Sequence, residues 1–407
     1  MLSRFVPPHA PARPLRAAAS LALALVLVPP LGSAPASPGR PPAHAAFDGA
    51  TFDPLVAAGV ADGVYPGAVL VIGRRDALLF QRGYGHLTWA RTSPAPDPDS
   101  TLYDLASLTK IVATTTALML LVDRGQVRLD APVVTYVPEF AGTGTAAITV
   151  RHLLTHTSGL RPTLPLYREA DSTAALRRVY DATPIVRPGT RVMYSDLNAI
   201  LLGEIVERVS REPLDRFVAR EVCEPLGMTR TLFRPPAALR GAIAPTGEWH
   251  GHAVAGVVND QNAARLGGVA GHAGLFASGA DLARFAQFIL RGGTRPDGRP
   301  LVRRATLDTF ITAATPLRGT RTERRALGWE AVPTGETVSS AGTRFGPRSI
   351  GHTGWTGTSV WIDPDRDLFV VLLTNRAFAP RARRPFTRLK EVRGRVADAA
   401  AEASDAP

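Results

Sequence analysis

The chain has 407 residues, 45% apolar and 20% charged, with a formal net charge of +12. That balance supports a buried core and excludes wholesale disorder, while glycine and proline without a period exclude collagen-like and low-complexity readings. A single cysteine, Cys223, excludes an intrachain disulfide framework and any multi-cysteine metal site; as a small apolar residue it is expected to be buried. Residues 1–45 hold four arginines and no acid, which leaves +8 on the rest. A moderately basic chain leans toward anionic surfaces such as a cell envelope, and no recognition motif accompanies the charge to suggest nucleic acid. Only two basic residues are lysines, Lys110 and Lys390. Arginine stays protonated, whereas a buried lysine can lose its proton, so a lysine here marks a position where arginine does not serve.

The N-terminus reads as a secretory leader. Arg4, Arg13 and Arg16 precede a short apolar run from Ala17 to Val28, and Ala43-His44-Ala45 offers a small-x-small cleavage site, with Ala34-Pro35-Ala36 as a second. The run is shorter than the roughly 20 residues that span a bilayer. The expectation is therefore an exported protein, periplasmic or extracellular, with a cleaved leader or a retained anchor.

Gly67–Arg74 and Ala77–His86 read as two strands of a hairpin turning at Arg75-Asp76. Ser107–Arg124 is apolar on nearly every face and stops at Gly125, as a buried helix would. Thr149–His156 reads as a short helix, and Asn198–Ser210 and Ala280–Leu290 as amphipathic ones. Leu327–Val332, Thr358–Asp363 and Leu368–Asn375 are strand-like, the last two flanking the turn Pro364-Asp365-Arg366-Asp367. The Arg-rich run Arg381–Arg395 reads as a solvated helix face or an anionic-surface contact, and the Ala-rich tail 398–407 as a fraying end. Strands near both ends and helices between them imply an α+β domain over 46–397. Its sheet is expected from about 60–90 and 325–378, with a helical subdomain at about 120–320.

Three short motifs carry chemistry. In Ser107-Leu108-Thr109-Lys110, positions i and i+3 share a helix face, so the hydroxyl and the amine can meet. A serine needs a neighbouring base to become a nucleophile, and a buried lysine can supply one. Tyr194-Ser195-Asp196 places a tyrosine before an amphipathic helix, where a phenol can relay protons. Gly351-His352-Thr353-Gly354-Trp355-Thr356-Gly357 leads into a strand along which a substrate backbone could lie. His250, His252, Asp260 and His272 match no zinc spacing. His156 reads as a hydrogen-bonded structural residue.

Together these motifs resemble the serine β-lactamase and penicillin-binding protein superfamily, its class C-like branch in particular. His156-Thr157-Ser158-Gly159-Leu160, Gly268–Phe276 and Trp361-Ile362-Asp363-Pro364 match that branch too, in order, across about residues 50–378. The resemblance implies an antiparallel sheet flanked by helices with an inserted helical subdomain, and hydrolysis through an acyl-enzyme without a cofactor or metal. It implies Ser107 as nucleophile, Lys110 and Tyr194 as its proton-handling partners, and the backbone N–H groups of Ser107 and Trp355 as oxyanion hole. Asp196, His352, Thr353 and Gly354 would line the substrate. Two positions depart from the family's pattern, which usually has Asn where this chain has Asp196 and Lys where it has His352. A carboxylate cannot donate a hydrogen bond, and could instead pair with Lys110; a histidine replaces a permanent cation with a group that titrates near neutrality. Both changes weaken a β-lactamase reading and leave ester or D-amino acid and peptidoglycan-related amide hydrolysis in place. A true β-lactamase or D,D-carboxypeptidase, a catalytically silent wall-binding module and a metal-dependent hydrolase are the competing readings.

Overall fold

The computed structural model describes residues 46–250, 252–315, 324–333, 339–378 and 386–406. The leader expected over residues 1–45, and Arg381–Pro385 of the Arg-rich run, lie outside them.

The centre is a seven-stranded antiparallel sheet. Its strands are β1 (Gly67–Arg74), β2 (Ala77–Gly85), β3 (Arg324–Arg325), β4 (Glu330–Ala331), β5 (Ile350–Thr353), β6 (Ser359–Asp363) and β7 (Leu368–Thr374), in the spatial order β2-β1-β7-β6-β5-β4-β3. β1 and β7 pair in register from Ala68 with Thr374 to Gly73 with Phe369, which joins the two ends of the chain in one sheet. Because both faces are covered, β1 and β7 read as continuous apolar runs rather than alternating ones. Ala68, Leu70, Ile72, Val370 and Leu372 face one core; Val69, Val71, Val371, Leu373 and Val360 face the other.

The first core is closed by helix α1 (Gly49–Ala61), which brings Phe52 and Val56, and by the C-terminal helix, which brings Leu389, Val392 and Val396. The second is larger. It takes in α2 (Thr116–Asp123), α3 (Asp196–Ser210) and α4 (Gly279–Leu290). α4 lies so close to β1 that a Cβ on Gly279 would stand 2.7 Å from Val69 Cγ1. A small antiparallel sheet of Tyr103–Asp104, Leu275–Ala277 and Leu232–Phe233 leads directly into the segment that carries Ser107.

Two expectations need correction. The tail does not fray at Asp398: α5 runs from Phe386 to Asp405, buries Ala400 and Ala401, and bonds through Ser404 Oγ to Arg74 at 3.0 Å. Alanines here are not weak filler but the small face that lets a helix approach the sheet. Nor is the Arg-rich helix uniformly solvated. Arg393 is buried and donates to the Thr358 carbonyl at 2.8 Å, and burial brings its guanidinium down to about 9. Arg388 is tied to Asp62 and Glu391.

Candidate active site

The segment expected as one regular helix from Ser107 has three parts. Ala106–Leu108 is a 3₁₀ turn, Lys110–Thr115 winds as a wider π-helical turn, and only Thr116–Asp123 is α-helical. Three threonine bonds, two of them to the 271–275 loop, accompany the change. Thr109 Oγ1 accepts from Leu275 N, Thr114 Oγ1 donates to the Gly271 carbonyl, and Thr116 Oγ1 donates to the Ile111 carbonyl. Such π turns are frequent at functional sites. Ala106, immediately before the serine, has φ 46°, a strained value for a residue with a side chain. Asp104 holds that strain in place: its Oδ1 accepts from Ala106 N at 2.8 Å and its Oδ2 from Asn259 N at 2.7 Å. Burial pushes this carboxyl up to about 6 despite those two donors. The run 106–123 is apolar enough to cross a membrane by composition, but it is packed inside the protein.

Ser107 and Lys110 meet as the i, i+3 spacing requires, with Lys110 Nζ 2.9 Å from Ser107 Oγ. Nζ also donates to the His272 carbonyl at 3.0 Å and pairs with Asp196 Oδ1 at 2.8 Å. Burial alone would push the ammonium down, but the charge of Asp196, with Tyr194 behind it, outweighs burial and holds Lys110 above its ordinary value. Lys110 is therefore a cation at neutral pH. Of the two routes open to Asp196, binding substrate or pairing with Lys110, the side chain takes the second.

Tyr194 Oη lies 2.9 Å from Ser107 Oγ. Its ring packs at a 38° tilt against His156 with centroids 4.6 Å apart, Lys110 Nζ lies 5.0 Å from its centroid, and Arg325 Cζ lies 5.3 Å from it. His156 is structural, as expected. It is buried, its carbonyl accepts from Met193 N at 2.7 Å, and its Nδ1 accepts from Ser195 N at 3.1 Å and faces Asn198 Nδ2 at 3.1 Å. Burial first, then the charges of Arg325 and Lys110, keep this ring well below its ordinary pKa, so it remains a neutral acceptor.

The third wall is β5 and the turn after it. His352 is buried and donates from Nδ1 to the Thr353 carbonyl at 2.9 Å; its Nε2 has no partner among the described residues. Burial, then Arg325 and Lys110, bring it down to about 3. The sequence expectation of a ring titrating near neutrality is corrected: His352 is neutral throughout the physiological range. Gly354 N donates to the Thr358 carbonyl, Thr358 Oγ1 to the Leu105 carbonyl and Thr356 Oγ1 to the Asp104 carbonyl. The two threonine bonds dock the 353–358 turn onto the 104–105 segment that leads into Ser107. The Trp355 indole is 65% exposed and stacks on Phe386 and Arg376.

Ser107, Lys110, Tyr194 and Asp196 are thus linked through direct contacts, the His352 ring lies 5.8 Å from that of Tyr194, and Gly354 abuts the turn that carries Ser107. Sequence reasoning missed Arg325. It stands on β3, and in a chain whose cations are nearly all arginine nothing marks one of them. Asp104 and Asp260 were missed as supports. Asp260 Oδ1 lies 3.0 Å from His272 Nε2, and that hydrogen bond takes its carboxyl to about 2 against the effect of burial. The pair anchors the loop whose carbonyl receives Lys110. Among the described residues no three His, Cys, Asp or Glu side chains are grouped to hold a metal ion. Cys223 is buried, and burial raises its thiol to about 12.

A family model described as Beta-lactamase matches residues 52–393. An Escherichia coli K12 protein named "Putative D-alanyl-D-alanine carboxypeptidase" is 32% identical over 357 residues, covering 78% of this chain and 80% of that protein. Among solved structures, a penicillin-binding protein homologue from Caulobacter crescentus superposes with a TM-score of 0.67 at 21% identity, covering 87% of this chain and 97% of that one. A class C β-lactamase from Rhodobacter sphaeroides does so with a TM-score of 0.67 at 22% identity, covering 86% and 98%.

Proposed function

We propose that this chain, which belongs to the Beta-lactamase family and has its serine-hydrolase fold, is an exported serine hydrolase that acts through an acyl-enzyme on Ser107. Its substrates are small esters or D-amino acid and peptidoglycan-related amides. The observation that carries the reading is the placement of Ser107 Oγ 2.9 Å from both Lys110 Nζ and Tyr194 Oη. With Lys110 held protonated by Asp196, base duty falls to Tyr194. In its phenolate form, Tyr194 takes the hydroxyl proton as Ser107 Oγ bonds to the substrate carbonyl carbon and the carbonyl π electrons move onto its oxygen. As the tetrahedral intermediate collapses, the bond to the leaving group breaks and that proton passes to the leaving oxygen or nitrogen. A water then repeats the sequence and frees Ser107. Lys110 remains a fixed cation beside the reacting oxygen, and the backbone N–H groups of Ser107 and Trp355 receive the developing oxyanion.

A D,D-carboxypeptidase reading is favoured by the names of the curated relatives. Against it stands a neutral His352 where the family's pattern has a cation. Envelope localisation rests on the leader at 1–45, and weak association with anionic envelope on the basic charge of the chain.

The test is intact mass of residues 46–407 after incubation with a fluorophosphonate and, separately, with benzylpenicillin, with Ser107→Ala as control. A fluorophosphonate adduct on wild type alone is expected; its absence from folded protein would favour the silent module. A penicillin adduct would add D-alanyl-peptide-like recognition, and its lifetime would separate a penicillin-binding protein from a β-lactamase.

A further inference from the structure

Asp104 ends a strand of the small sheet, three residues before Ser107, and is 1% exposed. Each of its two oxygens accepts from a different backbone N–H, Oδ1 from Ala106 at 2.8 Å and Oδ2 from Asn259 at 2.7 Å. The first bond holds the left-handed φ of 46° at Ala106, which alanine adopts only under constraint and which sets the direction of the next residue, Ser107. The second bond reaches toward the lysine. Asn259 precedes Asp260, whose Oδ1 lies 3.0 Å from His272 Nε2, and the His272 carbonyl receives Lys110 Nζ at 3.0 Å. One buried carboxylate therefore stands behind both ends of the 2.9 Å contact between Ser107 Oγ and Lys110 Nζ.

From this we infer, on the footing of the acyl-enzyme reading above, that Asp104 is the positioning residue that keeps Ser107 and Lys110 in register, and that it does so only as a carboxylate. Two N–H donors converge on it, so both oxygens must accept. A carboxamide or a protonated carboxyl turns a donor toward one of them, and that half of the link opens with its N–H left unpaired. Burial raises this carboxyl to about 6 against the two N–H groups, and Asp260, the one charge acting on it and itself held by His272, adds to the rise. Tyr103 beside it is a phenol raised by burial and so neutral, and neither the strand Leu275–Ala277 nor the 353–358 turn carries a titratable side chain.

The test is the rate at which a fluorophosphonate labels Ser107, followed by intact mass from about pH 5 to about pH 8 for wild type, Asp104→Asn, and Asp104→Asn combined with Ala106→Gly. At the alkaline end Asp104→Asn is expected to label about 10²-fold slower, the size of a small misplacement of a reacting group. Taking the ratio of the two rates cancels the titration of Tyr194, which both proteins share. That ratio should be about tenfold smaller at about pH 5 than at about pH 8, because wild type loses its carboxylate on the way down. Glycine adopts a positive φ without strain, so Ala106→Gly should return about fivefold or more of the rate lost in Asp104→Asn. A ratio that stays constant with pH, or no recovery from the glycine, would overturn the inference. Should Asp104→Asn fail to fold, the amide protons of Ala106 and Asn259 in the wild-type NMR spectrum decide the matter. Bound to one carboxylate, they should shift together as pH falls through about 6, and independent or absent shifts would overturn the inference. Failure of the acyl-enzyme reading looks different: wild type itself is unlabelled at every pH, and the inference falls with it.

Discussion

Replacing Gly354 by alanine isolates the geometry that joins the two halves of the site. Gly354 has an ordinary negative φ, so the substitution is not a test of backbone freedom. It is a test of close approach. A Cβ there would stand 2.2 Å from Thr358 Oγ1 and 2.5 Å from the Leu105 carbonyl oxygen. The hydroxyl can rotate; the carbonyl cannot, because it belongs to the turn that carries Ser107. Ordinary contact begins near 3.4 Å, so the 353–358 turn must retreat by roughly 1 Å, a misplacement that costs on the order of 10²-fold in rate. Retreat also stretches the bonds from Thr356 and Thr358 to the Asp104 and Leu105 carbonyls. At about 1 kcal/mol each, their loss takes about 2 kcal/mol from stability. If Trp355 N–H leaves the oxyanion position, the rate loss reaches about 10²–10³-fold. The assay is the rate of Ser107 modification by a fluorophosphonate, alongside the urea midpoint. Gly125→Ala is the control: it has φ 72° with nothing within 4 Å of the new Cβ, so it should lose about 1 kcal/mol with an unchanged modification rate. A Gly354→Ala protein that reacts within threefold of wild type would refute the argument.

Three further outcomes follow from the structure. Tyr194→Phe keeps the ring on His156 and removes the oxygen 2.9 Å from Ser107 Oγ, so acylation should fall by about 10²–10⁴-fold with little change in thermal midpoint; equal rates would remove Tyr194 from proton transfer. His352 is depressed in the folded protein to about 3 and titrates near 6.5 when unfolded, so its contribution to stability is present above about pH 6.5 and lost as pH falls toward 3. The unfolding free energy of wild type relative to His352→Gln should therefore fall by about 1.4 kcal/mol per pH unit between roughly pH 6 and 4, read from urea titrations, and a constant difference would show the ring titrating normally. Ending the chain at Ala397 removes two buried alanines, the Asp398 carboxylate that caps Thr343 N and Arg344 N, and the Asp405 pair with Arg366. A loss of about 3–5 kcal/mol in urea unfolding is expected, against no loss if the tail frayed.

What could be read from the sequence divides along physical lines. The β1–β2 hairpin, α3 and α4 were legible because period and turn residues are local properties. Ser107 and Lys110 stood out by their i, i+3 spacing and Tyr194 through the family resemblance, and the structure sets both Lys110 Nζ and Tyr194 Oη 2.9 Å from Ser107 Oγ. The π-helical turn at Lys110–Thr115 was not legible, since it goes with three threonine bonds, two of which reach the 271–275 loop. The helix through residue 405 was misread because alanine looks the same in a frayed end and in a close contact with a sheet. His352 kept its ordinary pKa on paper because burial, not identity, moves it. Arg325 carried no signal at all until β3 set it beside Tyr194.

The two departures from the family's pattern are best understood together. With Asn and Lys at these positions the site would hold two lysine charges; here Asp196 cancels Lys110, and His352 is neutral. Arg325 returns one positive charge, from a different strand and over the ring of Tyr194 rather than at the end of β5. Restoring lysine at position 352 alone would not restore a cation. The side chain there is buried, and Arg325 and Lys110 already act on the same position, so burial and like charge would both favour the neutral amine. Asp196 cannot relieve that, because its charge is engaged by Lys110. The charge arrangement is therefore a property of four residues on four elements, and it places positive charge beside the Ser107 hydroxyl and the Tyr194 ring.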